Sequence, residues 1–180
     1  MKKLLLALCC VPNLCFAHNI KLNKVLPQVE VKTHGELLLK DNDVVYEKWN
    51  TKQLQGKVRV IQAIAGRSAS KEMNAPLMKS ITAQKFDTKD YQTTTIINQD
   101  DAMWGTGGFV KSSAQDSKKE FSWSSLVLDE NGAAAKAWQL KKENSIIIIV
   151  DKSSKVIFVH EGALSKDEIK NAISTIKNTL

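Results

Sequence analysis

Cysteine is confined to the start of the chain, at Cys9, Cys10 and Cys15. Dithiol exchange, peroxide reduction and disulfide bonding each require a thiolate. A chain that loses this segment is excluded from all three. The sequence also lacks an apolar run of the roughly 20 residues that a membrane-spanning helix needs. It has no internal repeat or low-complexity segment, and no basic block interleaved with aromatics of the kind that binds nucleic acid. These absences point to one ordinary domain with no bilayer anchor and no nucleic-acid partner.

The first residues read as an address. Lys2 and Lys3 precede the apolar run from Leu4 to Val11, and the triplet Cys15-Phe16-Ala17 carries small residues at the two positions a signal peptidase reads. This predicts a secretory signal peptide over 1–17, a single domain over 18–180 and a periplasmic location. Leu8 before Cys9 is too bulky for a lipoprotein signal. Cleavage would remove every cysteine together with Lys2 and Lys3, leaving 24 basic against 19 acidic residues. Spread along the chain, that excess favours solubility and weak attraction to anionic surfaces.

The chain is organised around Gly56 to Leu77, GKVRVIQAIAGRSASKEMNAPL. Val58 to Ala65 is nearly continuous apolar sequence, the mark of a strand covered on both faces. Gly66 breaks it, and Ser68 and Ser70 are candidate caps for a helix with Met73, Leu77 and Ile81 on one face. Pro76 inside that helix predicts a kink near Glu72 to Met73. Upstream, 18–26 reads as an extended arm leading to Pro27. Gly35 is expected to turn the chain before a hairpin around Asp41-Asn42-Asp43. A short helix or turn over 49–56 would be capped by Thr51, with Leu54 inward. Downstream, Gln92 to Asn98 suits a second parallel strand, and Ala102 to Val110 a flexible loop. Ser112 to Glu120 reads as helical or irregular. Strands follow over Leu126 to Asp129, Ile146 to Val150 and Val156 to His160. The last helix opens on a capping box, Ser165 with Glu168, and lines Ile169, Ala172, Ile173, Ile176 and Leu180 along one face.

A strand delivering a tight turn to a proline-kinked helix at the edge of a mixed sheet resembles the thioredoxin superfamily. The order of elements extends the resemblance over most of residues 18–180. It implies an α/β, thioredoxin-like three-layer fold with an N-terminal β-hairpin extension. The family's Cys-x-x-Cys would fall on Gly66 and Ala69, with its following Glu on Glu72, and its cis-proline on Ser145. Within the superfamily, the runs GKVRVIQAIAGRSASKE, YQTTTIINQDDAMWGTGGFVKSS, AWQL and EGALSKDEI resemble the YtfJ family of periplasmic proteins. That resemblance implies a secreted thioredoxin-like domain without the redox pair.

Several residues could carry chemistry. Gly66-Arg67-Ser68-Ala69-Ser70 resembles a nucleophile elbow, although Ser70 replaces the second glycine; His160 and Asp100 would have to complete a relay. Arg67 at a helix start could grip a carboxylate or phosphate. Asn98, Asp100 and Asp101 offer oxygens to a hard cation, and His18 could bind copper with His34 or His160. Trp104 is a binding anchor on a loop or a lid over the core, whereas Trp49, Trp123 and Trp138 read as packing. The edge strand near Val44 could pair two copies.

Two functions follow. The first is a binding or interaction module without a cofactor. Its former redox face, with candidates Arg67, Ser68, Asn98, Asp100, Asp101 and Trp104, would hold a periplasmic protein, a peptide or an anionic ligand. The alternative is a hydrolase without thiols, using Ser68 or Ser70, or metal-assisted through Asp100 and Asp101.

Overall fold

The computed structural model describes residues 18–180, so the expected signal peptide lies outside the described residues. Among these residues seven strands form one mixed sheet: β1 (Glu30–Lys40), β2 (Asp43–Asn50), β3 (Val58–Ala65), β4 (Tyr91–Asn98), β5 (Ser125–Asp129), β6 (Ser145–Val150) and β7 (Val156–Glu161). Their spatial order is β2-β1-β5-β4-β3-β6-β7. The centre, β5-β4-β3, is parallel, and β1 and β6 flank it antiparallel. Among the described residues five α-helices accompany the sheet: α1 (Ser68–Met73), α2 (Ala75–Gln84), α3 (Gly107–Glu120), α4 (Ala133–Trp138) and α5 (Lys166–Thr179). All eight residues of β3 are buried, as its near-continuous apolar run demands.

Alternation along the strands divides the core by face. On one side Ile61, Ala63, Ile96, Val127, Ile146 and Ile148 pack against Trp49, Leu54 and Trp138. The segment before Pro27 lies on this side as well. It is a turn-rich piece whose Ile20 and Leu26 are buried, not an extended arm. The other face carries two separate clusters. Val58, Val60, Ile147 and Ile149 meet α2 and α5 through Leu77, Ile81, Ala172 and Ile176. Leu126 and Leu128 meet α3 through Ala114. No apolar cluster joins these two among the described residues.

Local departures from the sequence expectations have physical reasons. Gly35 does not turn the chain. It sits at a bulge inside β1 with φ +82°, where any Cβ would collide with the Glu47 carbonyl. The hairpin turns at Asp41 and Asn42, both with positive φ, as a two-residue connection requires. Asn50 caps the turn over 51–54, while the Thr51 hydroxyl accepts from the Val29 amide. Neither Ser68 nor Ser70 caps α1: Arg67 is its first flanking residue and supplies no side-chain cap, and Ser70 is fully buried. The expected kink is a break at Asn74. Pro76 then falls in the first turn of α2, where a missing N–H has no partner to lose. The expected loop over 102–110 is shortened because α3 begins at Gly107. The capping box of α5 forms as read, with Ala172 and Ile176 buried, but Leu180 is exposed.

Candidate functional site

The turn after β3 brings Arg67 to the carboxyl ends of the parallel strands, where open α/β sheets hold ligands. Its guanidinium is already engaged. Nε donates to the Asp101 carbonyl at 2.9 Å, while one terminal nitrogen lies 3.4 Å from Asp101 Oδ1 and 3.1 Å from Glu143 Oε1. Asp101 Oδ2 accepts from the Glu143 amide at 2.6 Å. Arg67 therefore latches the β4–α3 connection to the segment before β6. Its charge is largely neutralised there, so the anion grip expected of it is weakened.

The remaining candidates disperse. Ser68 is exposed at the start of α1, which has only six residues. Asp100 pairs with Lys136 at 3.1 Å. The Asn98 side-chain oxygen is buried without a hydrogen-bond partner and faces Gly132. His160 Nδ1 lies 3.0 Å from Glu168 Oε1, and its Nε2 lies 3.3 Å from the Ala163 carbonyl. The relay imagined through Ser68 or Ser70, His160 and Asp100 is thus not assembled in this conformation. No group of three or more His, Cys, Asp or Glu side chains suited to a metal ion occurs among the described residues. Trp104 is fully exposed, which removes the reading of it as a lid.

The larger feature was not anticipated. On the face whose core is divided, α2 and α3 stand apart and leave a groove of about 700 Å³ over the centre of the sheet. Such a volume lies within the range of small-molecule clefts. Its floor is the alternate-residue face of three strands, with Gln62 and Ile64 from β3, Thr93, Thr95 and Ile97 from β4, and Leu126 from β5. One wall is Ala75, Met78 and Thr82 of α2; the other is Phe109, Val110, Ser113 and Ser117 of α3. Arg67, Ser68, Lys71 and Met103 rim the end at the strands' carboxyl termini. Phe121 and Trp123 rim the opposite end, edge to face at 5.7 Å between centroids.

Two properties distinguish the groove. Among the described residues its lining contains no carboxylate, and its charged residues are Arg67 and Lys71. The Gln62 amide nitrogen on its floor is buried and lacks a hydrogen-bond partner. A buried unpartnered donor is uncommon and calls for an explanation. Trp123, read from sequence as packing, is 66% exposed at the rim. Its neighbour Lys118 is buried on α3, where Nζ donates to the carbonyls of Ser122 and Ser124 and fixes the rim's backbone. Burial pushes the Lys118 ammonium pKa down, an effect partly opposed by Glu36. Tyr91, at the start of β4, is pushed up to about 12 by burial, with the Thr93 hydroxyl pulling the other way. In the sequence the groove could have been signalled by Gln62, which interrupts the aliphatic alternation Val58, Val60, Ile64 on one face of β3, and by Thr93 and Thr95 at alternate positions of β4.

Known proteins agree with this architecture. The thioredoxin domain of a thiol-disulfide oxidoreductase from Bacteroides vulgatus superposes with a TM-score of 0.56 at 15% identity, covering 89% of this chain and 99% of that one. A thiol-disulfide isomerase from Corynebacterium glutamicum gives 0.52 at 14% identity, covering 87% and 94%. At these identities the likeness establishes a thioredoxin-like fold. An uncharacterized protein of Haemophilus influenzae is 45% identical over 179 residues, 98% of this chain and 97% of its relative. The uncharacterized protein YtfJ of Escherichia coli is 40% identical over 178 residues, with the same coverage. The family model described as "Bacterial protein of unknown function (YtfJ_HI0045)" matches residues 20–179. The chain therefore belongs to the YtfJ family.

Proposed function

We propose that this protein is a secreted, periplasmic binding module that has kept the thioredoxin scaffold without its thiol chemistry. The groove between α2 and α3 is the observation that carries this reading. In a well-packed domain, helices close over a sheet and leave few voids. Here the two apolar clusters of that face are held apart, over strand positions that carry hydroxyls and an amide in place of aliphatic side chains. Absence of thiol chemistry rests on sequence: no cysteine follows Cys15, and the positions matching the redox pair are Gly66 and Ala69. Secretion rests on the leader pattern over 1–17.

Three results test the proposal. Cell fractionation with sequencing of the purified protein's N-terminus should find it in the periplasm, beginning at His18. Insulin reduction with dithiothreitol should proceed at the same rate with and without it. An apolar fluorescent probe should bind the native protein. Binding should be lost in Ser113→Trp, which places a large side chain across the groove from an exposed position on α3. Undiminished probe binding in a folded Ser113→Trp variant would refute the assignment to the groove.

A further inference from the structure

We infer that the groove takes a single-chain anionic amphiphile whose linkage carries a carbonyl, as in a lysophospholipid. This rests on the binding reading above and adds the ligand's chemistry. Three features of the groove follow one another along the strands. At the carboxyl-terminal end, Lys71 is exposed and makes no ion pair among the described residues, while Arg67 beside it is engaged by Asp101 and Glu143. With no carboxylate in the lining, this end favours an anionic head group.

At mid-floor, Gln62 of β3 and Thr95 of β4 are register partners on parallel strands, so their side chains lie side by side. The Gln62 side chain is more than nine-tenths buried, and its unpartnered Nε2 calls for an acceptor from within the groove. A linkage carbonyl just behind a head group supplies one. Beyond it the lining loses charge and ends at Phe121 and Trp123, exposed aromatic surface suited to an acyl chain. From Thr93 to Ile97 the floor alone runs about 13 Å at the usual strand rise. That length suits an extended chain better than a compact metabolite.

Binding of three probes to the purified protein, each below its micelle concentration, tests the inference. They are lysophosphatidylglycerol, its ether-linked analogue lacking the carbonyl, and an uncharged monoacylglycerol of the same chain length. The ester-linked anion is expected to bind at least ten-fold more tightly than either of the others. Gln62→Leu should erase the preference for ester over ether, and Lys71→Gln the preference for charged over uncharged. Equal affinity for all three, preferences that survive these substitutions, or no binding of any probe would overturn the inference. The apolar probe and Ser113→Trp report separately on the groove. Probe binding without amphiphile selectivity defeats the ligand class alone, whereas loss of both defeats the binding reading.

Discussion

Replacing Gln62 by Leu should make the ligand-free protein more stable, against the usual sign of a substitution in a buried strand. Gln62 lies in β3, flanked in register by Thr95 and Ile147, with its amide nitrogen buried and unpartnered. A buried polar group left without a partner costs about 1–3 kcal/mol, and leucine of similar volume carries no such cost. Leucine also extends the apolar face of β3 beside Val60 and Ile64, its neighbours at alternate positions of the strand. A net gain of about 2 kcal/mol is expected, which for a domain of this size raises Tm by roughly 4–8 °C. Urea titration monitored by far-ultraviolet circular dichroism would show the midpoint moving up at constant slope. A lowered midpoint would mean that the amide is satisfied in solution. The argument for Gln62 as an unanswered donor would then fail.

Three further outcomes follow from contacts outside the groove. Asn74 separates α1 from α2 and ties that break to the far edge of the sheet. Its Nδ2 donates to Ser145 Oγ and the Gly162 carbonyl, and its Oδ1 accepts from the Leu164 amide. Asn74→Ala should cost about 2–4 kcal/mol by chemical denaturation, since it strands buried partners; a loss below about 1 kcal/mol would contradict that role. Both tyrosines, Tyr46 and Tyr91, have their phenol pKa raised, chiefly by burial, Tyr91 to about 12. The unfolded chain releases these protons from about pH 10 while the folded chain holds them longer, so stability should fall as pH rises across that window. Ultraviolet titration should show phenolate appearing late, and Tyr91→Phe should flatten the loss.

At the acid end, burial raises the Asp151 pKa, but the Ser153 hydroxyl and the Lys155 and Ser153 amides outweigh it and the net shift is downward. The Ser165 hydroxyl and amide lower that of Glu168. Both carboxylates contribute stability that is present above their unfolded values and lost as pH falls below about 4. Asp151→Asn should reduce the slope of stability against pH there, and an unchanged slope would contradict the assignment.

What the sequence made legible was whatever is settled by local periodicity. The buried run VRVIQAIA, the β-branched TTTII and the five-residue aliphatic run IIIIV each fell in a strand of the central sheet, and Ser165 with Glu168 became a capping box. Family membership was legible for the same reason, in contiguous runs. The candidate site was legible only in part. Arg67 does stand at the strand ends, but Asp101 and Glu143 reach it from distant parts of the chain, and no spacing rule reveals that convergence. Trp123 was misread because its exposure depends on where the turn after α3 lies against the sheet, a tertiary placement that local sequence does not encode. The groove hid for the same reason. Its floor residues resemble ordinary strand residues until the helices above them are placed.

The central claim is that the groove is a binding site, and amide chemical-shift mapping tests it most directly. Saturating the isotope-labelled protein with the apolar probe should shift amides of Ile64, Thr95, Ile97, Ser113 and Leu126, and leave those around α4 unmoved. Shifts gathered instead around Trp138 and Ala134, or scattered evenly over the sheet, would contradict it.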